Sequence, residues 1–588
     1  MNDHSATRAV SRARTVSRHR TGSAYLIALG TTVIVSLLAL AGMTLVRLER
    51  RQFDGLDHLA QAQANATAAM EMALLQVEDN PTWREQMKGG TWAADRRLGA
   101  GWWSFIAQDP VDGDLTNSIY DNVLLTATGK DGPAQHRLRA MLKVEMPGYR
   151  CLEAAVHSQA KLKFDGSTVH SNGVLSANDD LDASNGAQIY ADAESATAVK
   201  GATYYGQATT LGDWPRTMPD KNTVFDYYVA NGTAISYSSL PLWDRNLLSN
   251  PGAEATFAGE WVARGTCLVL RDGLVKHSGS KSVSAAARTA AWNGPAQIVT
   301  NQIESGQTYA AKAWARWGLG TDDMRIGLEL TSSGDGVQTV YFTPWTPVGT
   351  AWEELKGNAQ VTWNGELTKA LWFVEARTNV LGTLYIDDTE LRDANAVANC
   401  RVIHRAALGP DCNPFGATTN PEGIYVIDCA GGQFNIRNSR IKGTLVFLNQ
   451  HGGSTHIQGS VFWTSAATNF PAILTNKELR LTIGRAALDE SQANANFNPA
   501  QMPYMDADAD KTDSYPAVIE GIIYSADKIR FGGQPQLKGS VIANSDLEIT
   551  AATFDIDYSD TFLQRAPPGF RRGPELHIAP GSFQVLAD

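Results

Sequence analysis

The sequence contains few cysteines, five among 588 residues, at positions 151, 267, 400, 412 and 429. So low a number excludes a disulfide-rich scaffold. No two of these cysteines have the C-x-x-C spacing that is typical of zinc or redox sites. In an exported domain Cys400, Cys412 and Cys429 can supply one disulfide, and free buried thiols are the alternative.

Several motifs of common catalytic sites are also absent, including H-E-x-x-H, the phosphate-binding G-x-x-x-x-G-K-[ST] and G-x-S-x-G. Positive charge is in the minority, with 50 Lys and Arg against 61 Asp and Glu. The net charge of −11 argues against nucleic acid as a partner. We therefore expect a chain that is not an enzyme. Carboxylate pairs occur throughout the sequence, so glycosidase activity stays an open alternative.

Long hydrophobic runs are limited to one, residues 23–46, which contain no charged residue. As a helix this run is about 36 Å long, enough to cross a bilayer. A basic head, residues 1–22 with five arginines, precedes it. This charge bias predicts a single-pass protein of the bacterial inner membrane, with a cytoplasmic N-terminus and an exported body in the periplasm or at the cell surface. The alternatives are a signal peptide cleaved at Ala41 and a buried helix of a soluble protein.

The helical period of apolar residues continues through residues 47–80 as an amphipathic segment and stops at Asn80-Pro81. This layout, with the text R-T-G-S-A-Y-L-I from residue 20, resembles the N-terminal segment of PilX-type pilus assembly proteins, which are related to type IV pilins and pseudopilins. The resemblance implies processing between Gly22 and Ser23. It also implies other pilus or secretion assembly subunits as partners. Ile27 stands where that family usually has Glu.

The predicted fold class is mainly β beyond this helix. Residues 81–150 form a small mixed α/β region with two strands, 122–128 and 136–145, around a Gly-Pro turn. Residues 151–245 and 395–588 are predicted as two parts of a β-helix-like scaffold. The basis is a repeated sequence motif, which consists of an aliphatic residue, any residue, Gly and then a short run of β-branched or aromatic residues. This motif occurs at residues 441–447, 457–463, 519–525 and 537–543.

Residues 246–394 differ from both flanks, because they hold eight of the fifteen tryptophans. Ordered sequence blocks mark this segment: N-L-L-S-N-P-G-A-E at 246–254, W-V-A-R-G at 261–265, H-S-G-S-K-S at 277–282, R-T-A-A-W-N-G-P-A-Q at 288–297, G-Q-T-Y at 306–309, W-E-E-L-K-G at 352–357, W-F-V-E at 372–375 and Y-I-D-D at 385–388. In these blocks the segment resembles the CenC-like carbohydrate-binding modules of families 4, 9 and 22, and family 22 most.

The resemblance implies an inserted β-jelly roll, a sandwich of two antiparallel sheets, and a polysaccharide partner of the xylan or β-glucan type. It implies a cleft whose carbohydrate-binding residues are Arg264, Arg288, Trp292, Tyr341, Phe373 and Glu375. Phe373 replaces the tyrosine of the family, which keeps a stacking ring and removes a hydroxyl. Core packing is the alternative role of Trp292, and it is the favoured role of Trp314, Trp352 and Trp363.

The same resemblance implies a structural Ca²⁺ ion in the module. Its ligands correspond to the carboxylates of Glu254 and Asp388 and to backbone oxygens near Gly279 and Lys281. Hard oxygen ligands from both ends of the module suit calcium. A solvated loop at Asp387-Asp388 is the alternative. A second acidic run, with Asp506 as its first member, resembles a calcium loop only in part, because it lacks the Gly and Glu of that motif.

Three functions follow as hypotheses. The first is a membrane-anchored, pseudopilin-like surface protein that binds polysaccharide without catalysis. The second is an anchored accessory subunit of a glycoside hydrolase. The third is a purely structural assembly protein, which a buried Trp292 would favour.

Overall fold

The computed structural model describes residues 21–87, 91–212, 214–451, 455–505 and 508–586. Residues 1–20 of the predicted basic head therefore lie outside the described residues. Asp506 of the second acidic run lies outside them as well. The chain divides into two compact units. Unit 1 comprises residues 1–145 and 574–588, and unit 2 comprises residues 146–573.

A single long helix, Thr21–Asp79, begins unit 1. Its N-terminal half is exposed and apolar, and an 18-residue window within it reaches a mean hydropathy of 2.3 with no residue buried. Its C-terminal half buries one stripe of mainly small side chains at helical spacing: Ala62, Ala66, Ala69, Met70 and Ala73. The N-terminal half of the helix thus exposes its apolar side chains, and the C-terminal half packs into the core of unit 1.

The sheet of unit 1 receives that stripe. A methyl group at Gly129 would lie 2.2 Å from the Ala62 carbonyl oxygen, so the helix backbone approaches the sheet closely at this point. A short helix, Trp83–Gln86, precedes the sheet. The sheet is antiparallel and six-stranded, with strands Thr91–Leu98, Gly101–Gln108, Val123–Asp131, Ala134–Glu145, Glu575–Ile578 and Gln584–Leu586.

The hairpin that the sequence predicted is confirmed as Val123–Asp131 and Ala134–Glu145. The assignment of the C-terminal residues differs from the prediction. Both strands after residue 573 pair with Ala134–Glu145, so the chain end belongs to unit 1 and not to the second part of the scaffold. Sequence spacing alone carried no sign of a pairing between positions more than 400 residues apart.

Most strands of unit 2 form one continuous ladder of 22 strands. All of the ladder pairings that join these strands are parallel. The strands are Val156–Ser158, Leu162–Asp165, Thr168–Ser171, Leu175–Ala177, Leu181–Tyr190, Ala193–Ser195, Val199–Tyr204, Ala208–Thr210, Thr233–Ala234, Arg401–His404, Ala407–Leu408, Ile424–Asp428, Phe434–Lys442, Thr444–Leu448, Thr455–Thr464, Ile473–Thr475, Leu479–Ile483, Val518–Ser525, Ile529–Gly533, Gln536–Ala543, Leu547–Ile549 and Thr553–Asp557.

The first strands of the ladder in the chain pair with its last strands. Leu547–Ile549 pairs in register with Leu162–Asp165, and Thr553–Asp557 pairs with Thr168–Ser171. The strands before residue 211 therefore continue the stack that the C-terminal strands build. The two parts of the scaffold, separate in the sequence, form one body with one shared core.

The repeated glycine has a steric reason in this ladder. Gly521 and Gly539 are paired neighbours with φ values of +130° and +127°. A methyl group at Gly539 would lie 2.4 Å from the Gly521 carbonyl oxygen. Any larger residue would push these two strands apart, which explains the glycine in the repeats at 519–525 and 537–543.

Alternation along the strands supplies the ladder core. Leu162 and Phe164 are fully buried, whereas the alternating residues Lys163 and Asp165 reach solvent. Burial of each such apolar side chain contributes about 1.5–3 kcal/mol. All five cysteines lie within the described residues and all are free thiols. The disulfide among Cys400, Cys412 and Cys429 is therefore absent from this structure, and the alternative of free thiols holds.

The inserted segment folds as a jelly-roll module of two antiparallel sheets. The first sheet consists of Val262–Arg264, Gly294–Ile298, Asp322–Ser332, Gly336–Tyr341, Thr346–Val348 and Leu367–Ala376. The second sheet consists of Leu268–Asp272, Ser282–Ala286, Gln307–Trp317, Glu353–Val361 and Leu384–Asp393. Their facing side chains form one core of their own.

Short helical segments connect the strands of unit 2. They are Arg150–Glu153, Asp226–Asn231, Tyr237–Ser239, Thr300–Gln302, Glu490–Ala493 and Thr561–Gln564. A two-stranded pair, Leu488–Asp489 and Ser514–Tyr515, lies beside the ladder.

A buried charge cluster joins the module to the ladder. The guanidinium of Arg437, a ladder residue, donates to Glu304 Oε1 at 2.8 Å and to Asp393 Oδ2 at 2.7 Å, both in the module. Asn438 and His404 of the ladder contact the second oxygen of Glu304 at 2.8 Å and 3.0 Å. Each buried charge is thus paired and hydrogen-bonded, which offsets its desolvation. The insertion is seated on the ladder by specific contacts.

Replacing Arg437 with Leu is expected to destabilise unit 2, because it leaves two buried carboxylates without their cation. We expect the free energy of unfolding to fall by about 3–5 kcal/mol. The measurement is a urea titration followed by tryptophan fluorescence. The matched control is Arg480→Leu, since Arg480 lies in the same ladder with its side chain 40% exposed and pairs with Glu478. The control is expected to cost about 1 kcal/mol or less. Equal effects of the two changes would show that the cluster does not stabilise the junction.

Candidate functional site

The first sheet of the module carries a polar outer face. Along Asp322–Ser332 the residues Met324, Ile326 and Leu328 point into the core, so the intervening Arg325 and Glu329 point outwards. Neighbouring strands continue this pattern in register, because Arg325 pairs with Glu375 and Gly327 pairs with Phe373 and Tyr341. The sheet thereby collects charged and aromatic side chains on one surface.

The module's tryptophans fall into distinct environments. Four are buried in its core: Trp261, Trp317, Trp363 and Trp372. Trp292 differs, with 50% of its surface exposed. Trp314 and Trp352 are half-buried around His277, whose ring stacks on Trp314 with centroids 4.0 Å apart. The prediction of core packing is therefore confirmed for Trp363, and Trp292 is not a core residue.

Arg288 holds the loop that presents Trp292. Its side chain is buried and donates to the carbonyl oxygens of Asn293, at 2.6 Å, and Ala291. Burial lowers the pKa of this guanidinium below its usual range. Gly265 lies against the same loop, and a methyl group there would lie 2.6 Å from the Trp292 ring. The sequence predicted Arg288 as a contact for the carbohydrate, whereas the structure places it beneath the loop as a support.

Glu375 is the centre of a charged strip on the outer face. Its carboxylate is buried and accepts from Arg264 Nη1 at 2.5 Å and from Arg325 Nε at 2.7 Å. Arg264 Nε also donates to Glu329 at 3.2 Å, and Lys369 lies 3.4 Å from the other oxygen of Glu329. The strip fixes the two guanidinium groups, which retain further N–H donors for hydroxyl groups of a ligand.

Aromatic rings accompany the strip on both sides. The Arg325 guanidinium carbon lies 3.2 Å from the centroid of the Tyr341 ring and 3.9 Å from that of Trp345. Tyr341 is 40% exposed. Phe373 is fully buried, because Arg264 covers its ring at 3.5 Å. The sequence assigned a stacking role to Phe373, and the structure makes it a platform for Arg264 instead.

The structure therefore brings the six predicted residues together on or under one surface, with different tasks. Trp292 and Tyr341 are exposed, the Arg264 side chain is 11% exposed, and Arg288, Phe373 and Glu375 are buried. Sequence reasoning missed Arg325 and Trp345. The alternation of Arg325 with buried Met324 and Ile326 was the signal that could have found it, since it places a cation on the face opposite the core.

The predicted calcium residues converge at another place in the module. A methyl group at Gly252 would lie 3.6 Å from Asp387 Oδ1, 3.8 Å from Glu254 Cγ and 3.9 Å from Asp388 Oδ1. These distances place the Glu254, Asp387 and Asp388 side chains near one another, and carboxylate oxygens are ligands that suit calcium. Among the residues with described positions, no group of three or more His, Cys, Asp or Glu side chains has the arrangement of a metal site.

Hydrogen bonds from the loop 277–281 reach these carboxylates. The Ser280 hydroxyl and the backbone N–H groups of Ser280 and Lys281 lower the pKa of Glu254. Burial raises the pKa of Asp387, although the N–H groups of His277 and Ser278 donate to it. Gly279 has φ of +57° and a methyl group there would meet Glu254 Oε1 at 2.1 Å, so the loop closes tightly over this carboxylate.

The predicted processing residues, Gly22 and Ser23, lie in the first turn of the long helix. Their position in a continuous helix leaves the processing prediction as it stands, with no test in the structure.

Comparison with known proteins identifies a match for the module. A family model described as a carbohydrate binding domain, of the group 4 and 9 modules, matches residues 245–379. The match covers the inserted segment and not the long helix, the ladder or the remaining strands of unit 1.

The chain is also similar to part of endo-1,4-beta-xylanase A from Thermoanaerobacterium saccharolyticum. The two are 25% identical over 196 residues, which are 33% of this chain and 17% of the xylanase. The chain thus spans less than a fifth of the length of that relative.

Two solved structures of carbohydrate-binding modules are each similar to about a quarter of the chain. The CBM22-1 xylan-binding domain from Paenibacillus barcinonensis Xyn10C is 21% identical, with a TM-score of 0.24, and covers 27% of this chain and 99% of its own. The C-terminal family 22 carbohydrate binding module of Clostridium thermocellum Xyn10B is 23% identical, with a TM-score of 0.24, and covers 26% of this chain and 99% of its own.

Proposed function

We propose that the module binds a polysaccharide of the xylan or β-glucan type without catalysis. The observation that carries this proposal is the exposure of Trp292 on a loop that Arg288 holds from beneath. A tryptophan kept out of the core offers a flat apolar face on which the C–H groups of a sugar ring can stack. Arg264 and Tyr341 add hydrogen-bond donors beside it, and the family match of the segment supports the same class of ligand.

A second candidate is an accessory subunit of a glycoside hydrolase. The similarity to part of a xylanase favours this second candidate. Binding by the module is common to both candidates. They differ in whether polysaccharide is cleaved when the chain, alone or with its partner subunit, is present.

Trp292→Ala is expected to weaken binding of xylan and β-glucan oligosaccharides about tenfold or more, because the stacking face is lost. The measurement is calorimetric titration of the full chain in a detergent without a sugar headgroup. The control is Trp352→Ala, which removes a half-buried tryptophan associated with the second sheet and is expected to leave affinity unchanged. An unchanged Trp292→Ala affinity, or no binding by the native chain, would overturn the proposal. Release of reducing ends in the same samples would favour the hydrolase candidate.

We further propose that the Glu254 and Asp388 carboxylates belong to a structural calcium site. Glu254 and Asp388 would supply side-chain oxygens, and backbone oxygens near Gly279 and Lys281 would complete the set. A cation there would join the first and last segments of the module and neutralise adjacent carboxylates, which repel one another when ionised.

Calcium is expected to raise the melting temperature of the chain after treatment with EDTA, since a ligand that binds only the folded state stabilises it. At a concentration of 100 times Kd the gain is about 2.7 kcal/mol. The double change Glu254→Gln and Asp388→Asn is expected to abolish the shift, and Mg²⁺ at the same concentration is expected to give a smaller one. A melting temperature that does not respond to EDTA or calcium would contradict the site.

We also propose that the long helix anchors the exported body in the inner membrane, in the manner of a pilus-assembly or pseudopilin-like subunit. Its support is the exposed apolar half of the helix and the packed C-terminal half. The parallel ladder is proposed to be a β-helix, because strands 162–165 and 547–549 stack in parallel register. An experimental structure that showed one open flat sheet would contradict the β-helix.

The full chain is expected to remain in the membrane fraction after carbonate extraction, because about 20 apolar residues suffice to span a bilayer. A chain without residues 1–46 is expected to be soluble. Mass spectrometry of the mature N-terminus distinguishes an uncut chain, a cut before Ser23 and a cut after Ala41. A fully soluble native chain, or a cut after Ala41, would contradict the anchor.

A further inference from the structure

A second aromatic surface lies on the ladder, far along the sequence from the module blocks. Parallel register places four side chains in one column on the same face of successive strands: Gln536, Asp555, His170 and Tyr190. Tyr205, the residue after the strand Val199–Tyr204, extends this column by stacking its ring on Tyr190. At a strand spacing of about 4.8 Å, the column is about 19 Å long. We refer to these five residues and the residues beside them as the aromatic groove.

The rings of the aromatic groove stack on one another and stay exposed. The His170 and Tyr190 centroids are 5.0 Å apart, and the Tyr190 and Tyr205 centroids are 4.1 Å apart with planes 2° from parallel. Tyr190 is 38% exposed and Tyr205 is 57% exposed. Large aromatic residues ordinarily contribute to a core, so a stacked row of them at the surface presents apolar area to a ligand.

Polar side chains line the groove beside the rings. Asn172 donates to Asp557 Oδ1 at 2.7 Å, and Lys538 pairs with Glu520 at 2.9 Å. Asp557 and Lys538 occupy paired positions on adjacent strands, two residues along from the column, and so face the same side. An open depression of about 500 Å³, lined by His170, Tyr190 and Lys538 among others, lies beside the rings. Its apolar lining with a few fixed polar groups is the composition of a binding site for a small segment of ligand.

The paired charges of the groove favour a neutral ligand over an anionic one. Asp555 is paired with His170 at 2.9 Å and with Arg485, and Lys538 is paired as described. The groove therefore has no excess of positive charge to hold a nucleic acid or an acidic polymer, which bind through cations. A neutral sugar chain has apolar C–H faces for the rings and hydroxyl groups for the carboxylate, amide and ammonium groups.

We propose that the aromatic groove is a second carbohydrate site, which takes a segment of a neutral glycan chain. This inference does not depend on the jelly-roll site, because it stands on ladder residues alone. Two sites on one chain raise the apparent affinity for a polymer, since the second contact forms within a complex that already exists. Short oligosaccharides, which occupy one site at a time, lack this gain.

The test compares four forms of the full chain: native, Trp292→Ala, Tyr190→Ala with Tyr205→Ala, and the triple variant. Each is measured on immobilised xylan and mixed-linkage β-glucan by biolayer interferometry, in a detergent without a sugar headgroup. We expect the Tyr double change to weaken polymer binding about tenfold. We expect Trp292→Ala to retain measurable polymer binding that the triple variant loses. Carboxymethylated cellulose, an anionic polymer, is expected to bind more weakly than the neutral polymers.

The matched control is Tyr190→Phe with Tyr205→Phe, which keeps the stacked rings and is expected to keep most of the binding. Circular dichroism checks that each variant is folded. If the Tyr→Ala changes leave binding unaltered in both backgrounds, the groove is not a carbohydrate site. If they weaken binding while Trp292→Ala has no effect, the groove is supported and the jelly-roll site is overturned. If no variant differs from the native chain, both sites are overturned.

Discussion

Parallel backbone hydrogen bonding in the ladder is the constraint on which the rest of unit 2 depends. Each strand takes its register from the strands stacked beside it, which are not its neighbours along the chain. Residues distant in sequence therefore become neighbours at a fixed spacing. The shared core of Leu162, Phe164 and their counterparts forms only in this register. The same register aligns Asp555, His170 and Tyr190 in one column. A local hydrogen-bond pattern thus creates both the core and a surface.

The module packs on the ladder through specific polar contacts. Arg437 and Asn438 lie in a ladder strand, and their position fixes the two module carboxylates that they bind, Glu304 and Asp393. A further contact runs from the Ser305 backbone N–H to the carbonyl oxygen of Gln492, beside the ladder. The module is therefore held on the ladder at more than one point. A binding surface that is held in this way keeps a defined orientation toward the ladder.

Local patterns in the sequence were enough to predict the long helix and the hairpin around residue 131, and a family resemblance predicted the two-sheet module. The helix and the hairpin follow from periodicity and turn residues, and the module follows from sequence motifs, each of which spans a short stretch of the chain. The buried charge cluster could not be predicted from the sequence. Glu304 and Arg437 are 133 residues apart, and nothing in the sequence distinguishes them from exposed charged residues. The roles of Arg288 and Phe373 also escaped, since a residue that contacts a ligand and one that supports such a residue have the same spacing in the motif.

The stacking of Thr553–Asp557 on Thr168–Ser171 has a consequence for biogenesis. Asn172 finds its partner Asp557 only after 385 further residues have been made. The strands before residue 211 therefore emerge from synthesis or export with one edge unpaired, while the module can already close around its own core. Contacts of such separation form slowly. The early strands need protection from other chains until the last part of the ladder arrives.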